Sequence, residues 1–187
     1  NKITGQSRQI LFEGLPPQTQ DLHGFFLPGN MKQKFAQLND AEREWIKSSL
    51  GNARNLTMAS QVGDAVENMT PERLDRAYKY WLYSGTDINA PANDVIHAIA
   101  FAFGQYLVDN EGFEWSLVTD QFGTDVGVRA LPGRGDVLVC PASMVAKRWE
   151  TKETDFLVPI YHAVIDQRNT IRDSWEAKGK SPWWKFW

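Results

Sequence analysis

The side chains that could carry out metal chemistry are few and widely separated in this sequence. The three histidines are His23, His97 and His162, and no pair of them has the spacing of an H-x-x-x-H or H-E-x-x-H metal motif. His97 lies in an apolar stretch, where a lone histidine is more often a hydrogen-bonded core residue than a metal ligand. We therefore expect no metal site, and the sequence contains no motif for a cofactor.

Cys140 is the only cysteine, so an intrachain disulfide is excluded. A thiol nucleophile would need a base such as His97 or His162. The surrounding "VLVCP" is typical of an apolar strand, in which a free cysteine behaves as a small buried residue. No G-x-S-x-G motif is present either. These observations favour a protein that is not an enzyme.

Three aspartates lie next to turn sequences. Asp120 and Asp125 flank "QFGT", and Asp136 follows "PGRG". Paired carboxylates can act in acid–base catalysis or bind Ca²⁺, but aspartate at a hairpin turn commonly accepts hydrogen bonds from nearby backbone amides. We expect the turn role. The alternative is an enzyme or small-ligand-binding protein, with a cleft formed by Asp120, Asp125, His97 and Arg129.

A basic and aromatic trio follows the third predicted strand. Lys147, Arg148 and Trp149 are consecutive within "AKRWE". Arginine and tryptophan are enriched at protein interfaces, so these residues are a candidate partner-binding site. The simpler interpretation is a solvated helix with Trp149 turned inward.

The C-terminal segment "SPWWKFW" contains Trp183, Trp184, Phe186 and Trp187. Three interpretations remain open for this aromatic tail. It could fold back onto an apolar groove, it could anchor a partner protein, or it could contact a membrane surface. We therefore include these four residues in the candidate partner-binding site.

The overall composition excludes some classes of function. The chain has 187 residues, of which 42% are hydrophobic and 23% charged, and these values are typical of a soluble globular protein. A net charge of −3 argues against nucleic-acid binding as the main role. No apolar run reaches the roughly 18 residues of a membrane span, and the first residues do not have the pattern of a signal peptide. We expect a cytoplasmic protein.

Helix start and stop signals divide the first two thirds of the chain. Asn39 and Glu42 have the spacing of a capping box, and Thr70 precedes a proline and a glutamate. Asn93 is the expected cap of a third, strongly apolar helix, which ends at Gly112. Within that helix, Gly104 suggests close backbone packing.

The last third of the chain has the sequence pattern of strands followed by helices. "FEWSLVTD", "VGVRAL" and "VLVCPAS" are β-prone and separated by turn sequences. Because the connections are short, these segments predict an antiparallel meander of three or more strands. Ser143 is the expected cap of a short helix, and Thr154 the expected cap of a last helix over residues 155–177.

Helices, then strands, then a helix predict an α+β fold, with helices on one face of an antiparallel sheet and the C-terminal helix returning onto the domain. We assign residues 1–38 to an N-terminal extension, 39–178 to a single α+β domain, and 179–187 to the aromatic tail.

Several motifs resemble a known family. "AFGQYL", "EWSLVTDQFGTDVGVR" and "CPASMVAKRWE" are together similar to a bacterial family of small proteins catalogued only as a domain of unknown function. "LNDAEREWI" and "LDRAYKYWL", which precede them, are similar in kind to the corresponding part of that family. The resemblance covers roughly residues 35–170. The resemblance implies one compact α+β domain. It supplies no reaction and no catalytic residues, because the family has no established activity.

The absence of a catalytic motif, the acidic charge and this resemblance favour a non-catalytic protein that binds another protein. An immunity or adaptor protein, which neutralises a toxin or effector by occlusion, is one such function. A structural or assembly subunit that uses the aromatic tail is a further alternative.

Overall fold

The computed structural model describes residues 33–60, 69–84, 90–121 and 123–179. Most of the predicted extension and the four aromatic residues of the tail lie outside this described part. In chain order the described elements are β1 (Lys34–Ala36), α1 (Asp40–Ser60), α2 (Pro71–Tyr83), α3 (Ala92–Glu111), β2 (Glu114–Asp120), β3 (Gly123–Ala130), β4 (Val137–Val139), α4 (Pro141–Thr151) and α5 (Leu157–Gly179).

The four described strands form one antiparallel sheet in the order β1-β2-β3-β4. Leu117 pairs with Val126 in the β2–β3 hairpin, and Val128 pairs with Val139 of β4. The expected α+β fold and its meander are confirmed. The meander gains an edge strand, β1, from residues 34–36, which the sequence interpretation placed in the extension.

One face of the sheet packs against α3. Because successive side chains of a strand point to opposite faces, every second residue of β2 and β3 lies on this face. Side chains of residues directly opposite each other in neighbouring strands point to the same face, so Trp115, Leu117, Val126 and Val128 share this face. Trp115 packs closely against α3, because a Cβ atom placed on Gly104 would lie only 2.4 Å from the Trp115 ring. The predicted close packing at Gly104 is confirmed, with the Trp115 ring as its partner.

Local signals define α1 as predicted. The Asn39 amide donates to Glu42 Oε2 at 2.7 Å, and the Glu42 amide donates to Asn39 Oδ1 at 3.0 Å. This reciprocal pair is a complete capping box. At the C-terminal end of α3, Gly112 adopts the left-handed conformation (φ 68°) that was expected of a helix-terminating glycine.

The start of α5 is set by a distant residue instead of the expected Thr154. Leu157 and Val158 donate their amides to the two carboxylate oxygens of Asp75 in α2, at 3.0 and 3.1 Å. Asp75 is only 4% exposed, and this burial raises the pKa of its carboxyl, whereas the hydrogen bonds from Leu157 and Val158 act in the opposite direction. The prediction of Thr154 as the cap was wrong, because an aspartate 82 residues away satisfies the helix start.

Two other helix starts differ from prediction by a few residues. α3 begins at Ala92 after Pro91, so Asn93 lies inside the helix. α4 begins at Pro141, whose fixed φ suits the first helical position, and its N-cap is Cys140. Ser143 is therefore within the first turn of α4 and is not its cap.

The C-terminal helix returns onto the domain, as expected. Its buried residues Ile160 and Val164 belong to the hydrophobic core. Glu111, at the end of α3, accepts hydrogen bonds from the Tyr161 hydroxyl at 2.6 Å and from Arg168 Nη1 at 2.9 Å. These contacts fix α5 against the C-terminal end of α3. None of the helices in the described ranges has the length and apolar character needed to cross a membrane.

Candidate functional site

The structure separates the basic and aromatic trio on α4. Lys147 is exposed, Arg148 is buried with 3% of its surface accessible, and Trp149 is half-buried. Successive residues of an α-helix point about 100° apart, so three consecutive side chains do not share one face. The Lys152 ammonium lies 4.3 Å from the centre of the Trp149 ring. Only Lys147 of the trio is freely presented to solvent.

Arg148 stabilises the end of α4. Its Nε atom lies 2.9 Å from Glu153 Oε2, and the Glu153 amide donates to the Arg148 carbonyl at 3.0 Å. Lys152, between them, adopts the left-handed conformation (φ 57°) that ends the helix. The buried guanidinium is therefore part of the turn that leads from α4 towards α5.

His97 is packed among aromatic rings. It contacts Trp45 edge-on at 4.8 Å and stacks on Phe101 at 5.8 Å, measured between ring centres. Burial lowers the pKa of His97, and the charges of Asp94 and Asp125 partly oppose this effect. His97 is therefore held as a neutral, packed ring at neutral pH.

Asp125 and Arg129, two other members of the alternative cleft, lie in different surroundings. Asp125 accepts hydrogen bonds from the Ser143 hydroxyl at 2.6 Å and from the Val126 amide at 2.8 Å. Arg129 pairs with Glu114 across the far end of the β2–β3 hairpin. Thus Asp125 acts electrostatically on His97, whereas Arg129 belongs to another part of the sheet.

The remaining residues considered for chemistry are dispersed. Cys140 is half-buried, His162 is exposed on α5, and His23 lies outside the described residues. Within the described ranges, no three side chains of histidine, cysteine, aspartate or glutamate are grouped so that they could hold a metal ion.

A groove of about 610 Å³ lies between α1 and the β1–β2 edge of the sheet, and we call it the α1–β2 groove. One face of α1 forms its first wall, because residues at spacings of three and four share a helix face. The residues of α1 on this wall alternate between charged and apolar types. They are Arg43, Ile46, Lys47 and Leu50.

The opposite wall of the α1–β2 groove comes from the sheet and from α3. Phe35 of β1, Trp115 and Glu114 of β2, Arg129 of β3 and Gln105 of α3 all line it. The groove therefore combines an apolar surface, which includes Ile46, Leu50 and the Trp115 ring, with a charged rim.

Gln105 fixes the Trp115 ring in the groove. The Trp115 indole N–H donates to Gln105 Oε1 at 3.0 Å, and Gln105 Nε2 donates to Asp109 Oδ1 at 2.7 Å. Gln105 and Leu50 also line a second cavity of about 360 Å³, which lies along α1 and α3. The two cavities thus adjoin at these residues.

Arg129 reaches across β2 towards β1. Its guanidinium carbon lies 4.3 Å from the centre of the Phe35 ring, and its Nη2 atom lies 3.0 Å from Glu114 Oε1. Its buried Nε–H has no hydrogen-bond partner among the described residues. The small Ser116, on the same face of β2, leaves room for this long side chain.

Arg43 is held at the turn between β1 and α1. Its Nε and Nη2 atoms donate to the Leu38 carbonyl at 3.2 and 2.9 Å. Lys47, one helical turn further, has a largely exposed side chain and lies 3.5 Å from Glu44. Of the described residues, three cationic side chains and one carboxylate line the α1–β2 groove, so the local charge that they give it is positive although the chain is acidic.

The sequence interpretation missed the α1–β2 groove, because its residues come from five separate elements. A spacing signal exists only within α1, where residues 43, 46, 47 and 50 share a face. Nothing in the sequence places that face next to Trp115 and Arg129.

Comparison with known proteins supports the family resemblance. Residues 80–161 match a family described as "Domain of unknown function (DUF3806)". The predicted resemblance to a domain of unknown function is thereby confirmed for this stretch, which runs from the end of α2 to the start of α5. A search of the curated proteins found no match, and a search of the solved structures found none either.

Proposed function

We propose that this protein is a non-catalytic binding protein that holds a segment of another protein in the α1–β2 groove. The observation that carries this proposal is the combination of an apolar, tryptophan-containing surface with a cationic rim in one open groove. Tryptophan and arginine contribute most strongly to protein interfaces, because they bury large areas and also form directional polar contacts. Both residue types line the groove, Trp115 from the face of the sheet that packs against α3 and Arg129 from the opposite face.

The contacts of the candidate catalytic groups agree with a binding function. His97 is packed between Trp45 and Phe101, and Asp125 bonds to Ser143 and to its own strand. A general base must instead be within reach of a proton on the substrate. These contacts favour structural roles for both groups.

An immunity or adaptor function in a bacterial toxin system would use such a groove by occlusion. The bound segment would hold the protein over the active site of a toxin or effector, and no chemical step would be required. The net charge of −3 would favour the approach of a basic partner such as a nuclease.

Small-ligand binding is the second candidate function, and the volume of the groove favours it. About 610 Å³ falls within the range of about 300–1,000 Å³ that is usual for ligand pockets. The structural or assembly role of the aromatic tail stays a prediction, because Trp183, Trp184, Phe186 and Trp187 lie outside the described residues.

Charge reversal at matched lysines tests the proposal. Lys47 lines the groove, whereas Lys147 is an exposed lysine of α4 outside it. Tagged wild-type protein, Lys47→Glu and Lys147→Glu would be expressed in the native host, purified and analysed by mass spectrometry. We expect a partner protein that wild type and Lys147→Glu retain and that Lys47→Glu loses by about tenfold or more.

Equal recovery of the same proteins with all three variants would contradict the proposal. A small molecule that co-purifies with wild type, detected by native mass spectrometry without any protein partner, would instead support the second candidate function.

A further inference from the structure

The charge pattern of the α1–β2 groove identifies the kind of partner segment that it fits. This inference rests on the proposed function and deepens it. We infer that the groove binds an acidic side chain, aspartate or glutamate, that is flanked by an apolar residue of the partner protein, with Arg129 as the main anion-binding residue.

The charge balance of the groove favours an anionic ligand. Among the described residues, Arg43, Lys47 and Arg129 line the groove, and Glu114 is the single carboxylate. Glu114 is more than half exposed, and Lys47 and Glu44 form only a solvated pair at 3.5 Å. The Lys47–Glu44 pair is weak because water screens exposed ion pairs, and one carboxylate cannot balance three cations, so the groove keeps a net positive charge.

The guanidinium of Arg129 has incomplete hydrogen bonding among the described residues. A guanidinium has five N–H donors, and here one of its nitrogens, Nη2, contacts Glu114. The buried Nε–H has no acceptor among the described residues. A partner carboxylate cannot reach this buried Nε–H, but it can accept hydrogen bonds from the terminal nitrogens of the partly exposed guanidinium.

The surroundings of Arg129 hold its side chain in place. Its side chain is 18% exposed and stacks on Phe35, so its orientation is constrained before any ligand arrives. A preorganised cation loses less side-chain entropy on binding than a mobile lysine does. Arg129 therefore suits directional recognition, whereas the exposed Lys47 contributes longer-range attraction.

The neighbouring surface determines the rest of the partner segment. Ile46, Leu50 and the Trp115 ring line the groove beside the cations. An apolar side chain next to the acidic residue would cover this surface.

Two dipeptides that differ only in charge test this inference. N-acetyl-Phe-Glu-amide carries one side-chain carboxylate, and N-acetyl-Phe-Gln-amide is its neutral counterpart. Binding would be followed by NMR through the indole N–H signal of Trp115, assigned by the loss of that signal in Trp115→Phe. We expect the acidic peptide to shift this signal and to bind at least about tenfold more tightly than the neutral one.

Arg129→Gln should abolish this preference, whereas Arg134→Gln, outside the groove in the β3–β4 turn, should keep it. Urea unfolding of each variant would confirm that it is folded. Equal binding of the two peptides, an unchanged preference in Arg129→Gln, or no shift with the acidic peptide would each overturn the inference.

These outcomes are distinguishable from a failure of the proposed function. If Lys47→Glu loses its protein partner but the peptides show no charge preference, protein binding stands and the acidic-residue inference is wrong. If the same proteins are recovered with every lysine variant and the acidic peptide also gives no shift, both proposals are wrong.

Discussion

The trio on α4 and the α1–β2 groove both contain lysine, arginine and tryptophan, but they arrange these residues in opposite ways. On α4 the three are adjacent in sequence, and the helix points them in different directions. In the groove, Lys47, Trp115 and Arg129 are far apart in sequence and line the same cavity. Adjacency in a helical segment is therefore weak evidence for a shared binding surface.

The two arginines show the difference most clearly. Arg148 is almost fully buried and pairs with Glu153 at the end of its own helix. Arg129 pairs with the exposed Glu114, stacks on Phe35 and lines the groove. The first arginine is placed to stabilise the fold, and the second is the one for which we propose contact with a ligand.

The largest expected effect is on stability, at Arg148. Arg148→Ala would remove the buried stem and the ion pair with Glu153, and we expect it to lower the free energy of unfolding by about 2–3 kcal/mol. Lys147→Ala, its exposed neighbour, should change stability by less than about 0.5 kcal/mol. Urea unfolding would measure both. A comparable loss in the two variants would contradict the assignment of Arg148 to the fold.

The next effect concerns the Trp115 surface of the groove. Gly104→Ala would place a Cβ atom 2.4 Å from the Trp115 ring, and we expect a net loss of about 1–2 kcal/mol despite the better helix propensity of alanine. Gly51→Ala, in α1, meets no atom of the described part of the chain within 4 Å and should stabilise the protein by about 0.5–1 kcal/mol. Stabilisation by both substitutions would show that Trp115 is not held against α3.

A smaller stability effect is expected at Arg129. Arg129→Gln removes a partly exposed ion pair and a ring contact, and the exposed Glu114 can be hydrated afterwards. We expect thermal or urea unfolding to show a loss of no more than about 1 kcal/mol. A loss as large as that of Arg148→Ala would remove the contrast between the two arginines.

The smallest effect at neutral pH is expected at His97. His97→Phe should keep the stacking with Phe101, so we expect a change within about 0.5 kcal/mol at pH 7.5. Burial lowers the pKa of His97 from its ordinary value of 6.5, so its stabilising contribution is present above pH 6.5 and is lost as the pH falls through the lower folded-state pKa. Wild type should therefore lose stability relative to His97→Phe between pH 7 and pH 5. Parallel pH profiles of the two proteins would indicate that His97 is not a packed neutral ring.

Features set by neighbouring residues were predictable from the sequence. Asn39 and Glu42 are three residues apart and form the capping box that their types indicate. Gly112 ends α3, and the β-prone segments pair in the expected order. In each case the physical cause acts over a few residues, so the sequence contains the whole signal.

Features set by distant residues were not predictable. Asp75 caps α5 from another helix, and nothing local to Leu157 identifies it. The short strand β1 is defined by its pairing with β2, since three residues carry little pattern of their own. The α1–β2 groove has the same origin, because it exists only after α1, α3 and the sheet have packed together.

The most direct measurement of the central claim compares the two regions in one experiment. A photoreactive amino acid, p-benzoylphenylalanine, would be placed at position 47 in the groove or at position 147 on α4, and both proteins would be irradiated in extract of the native host. The α1–β2 groove predicts a covalent adduct with one partner protein from position 47, with at least about tenfold less adduct from position 147. An adduct that forms from position 147 and not from position 47 would contradict this account.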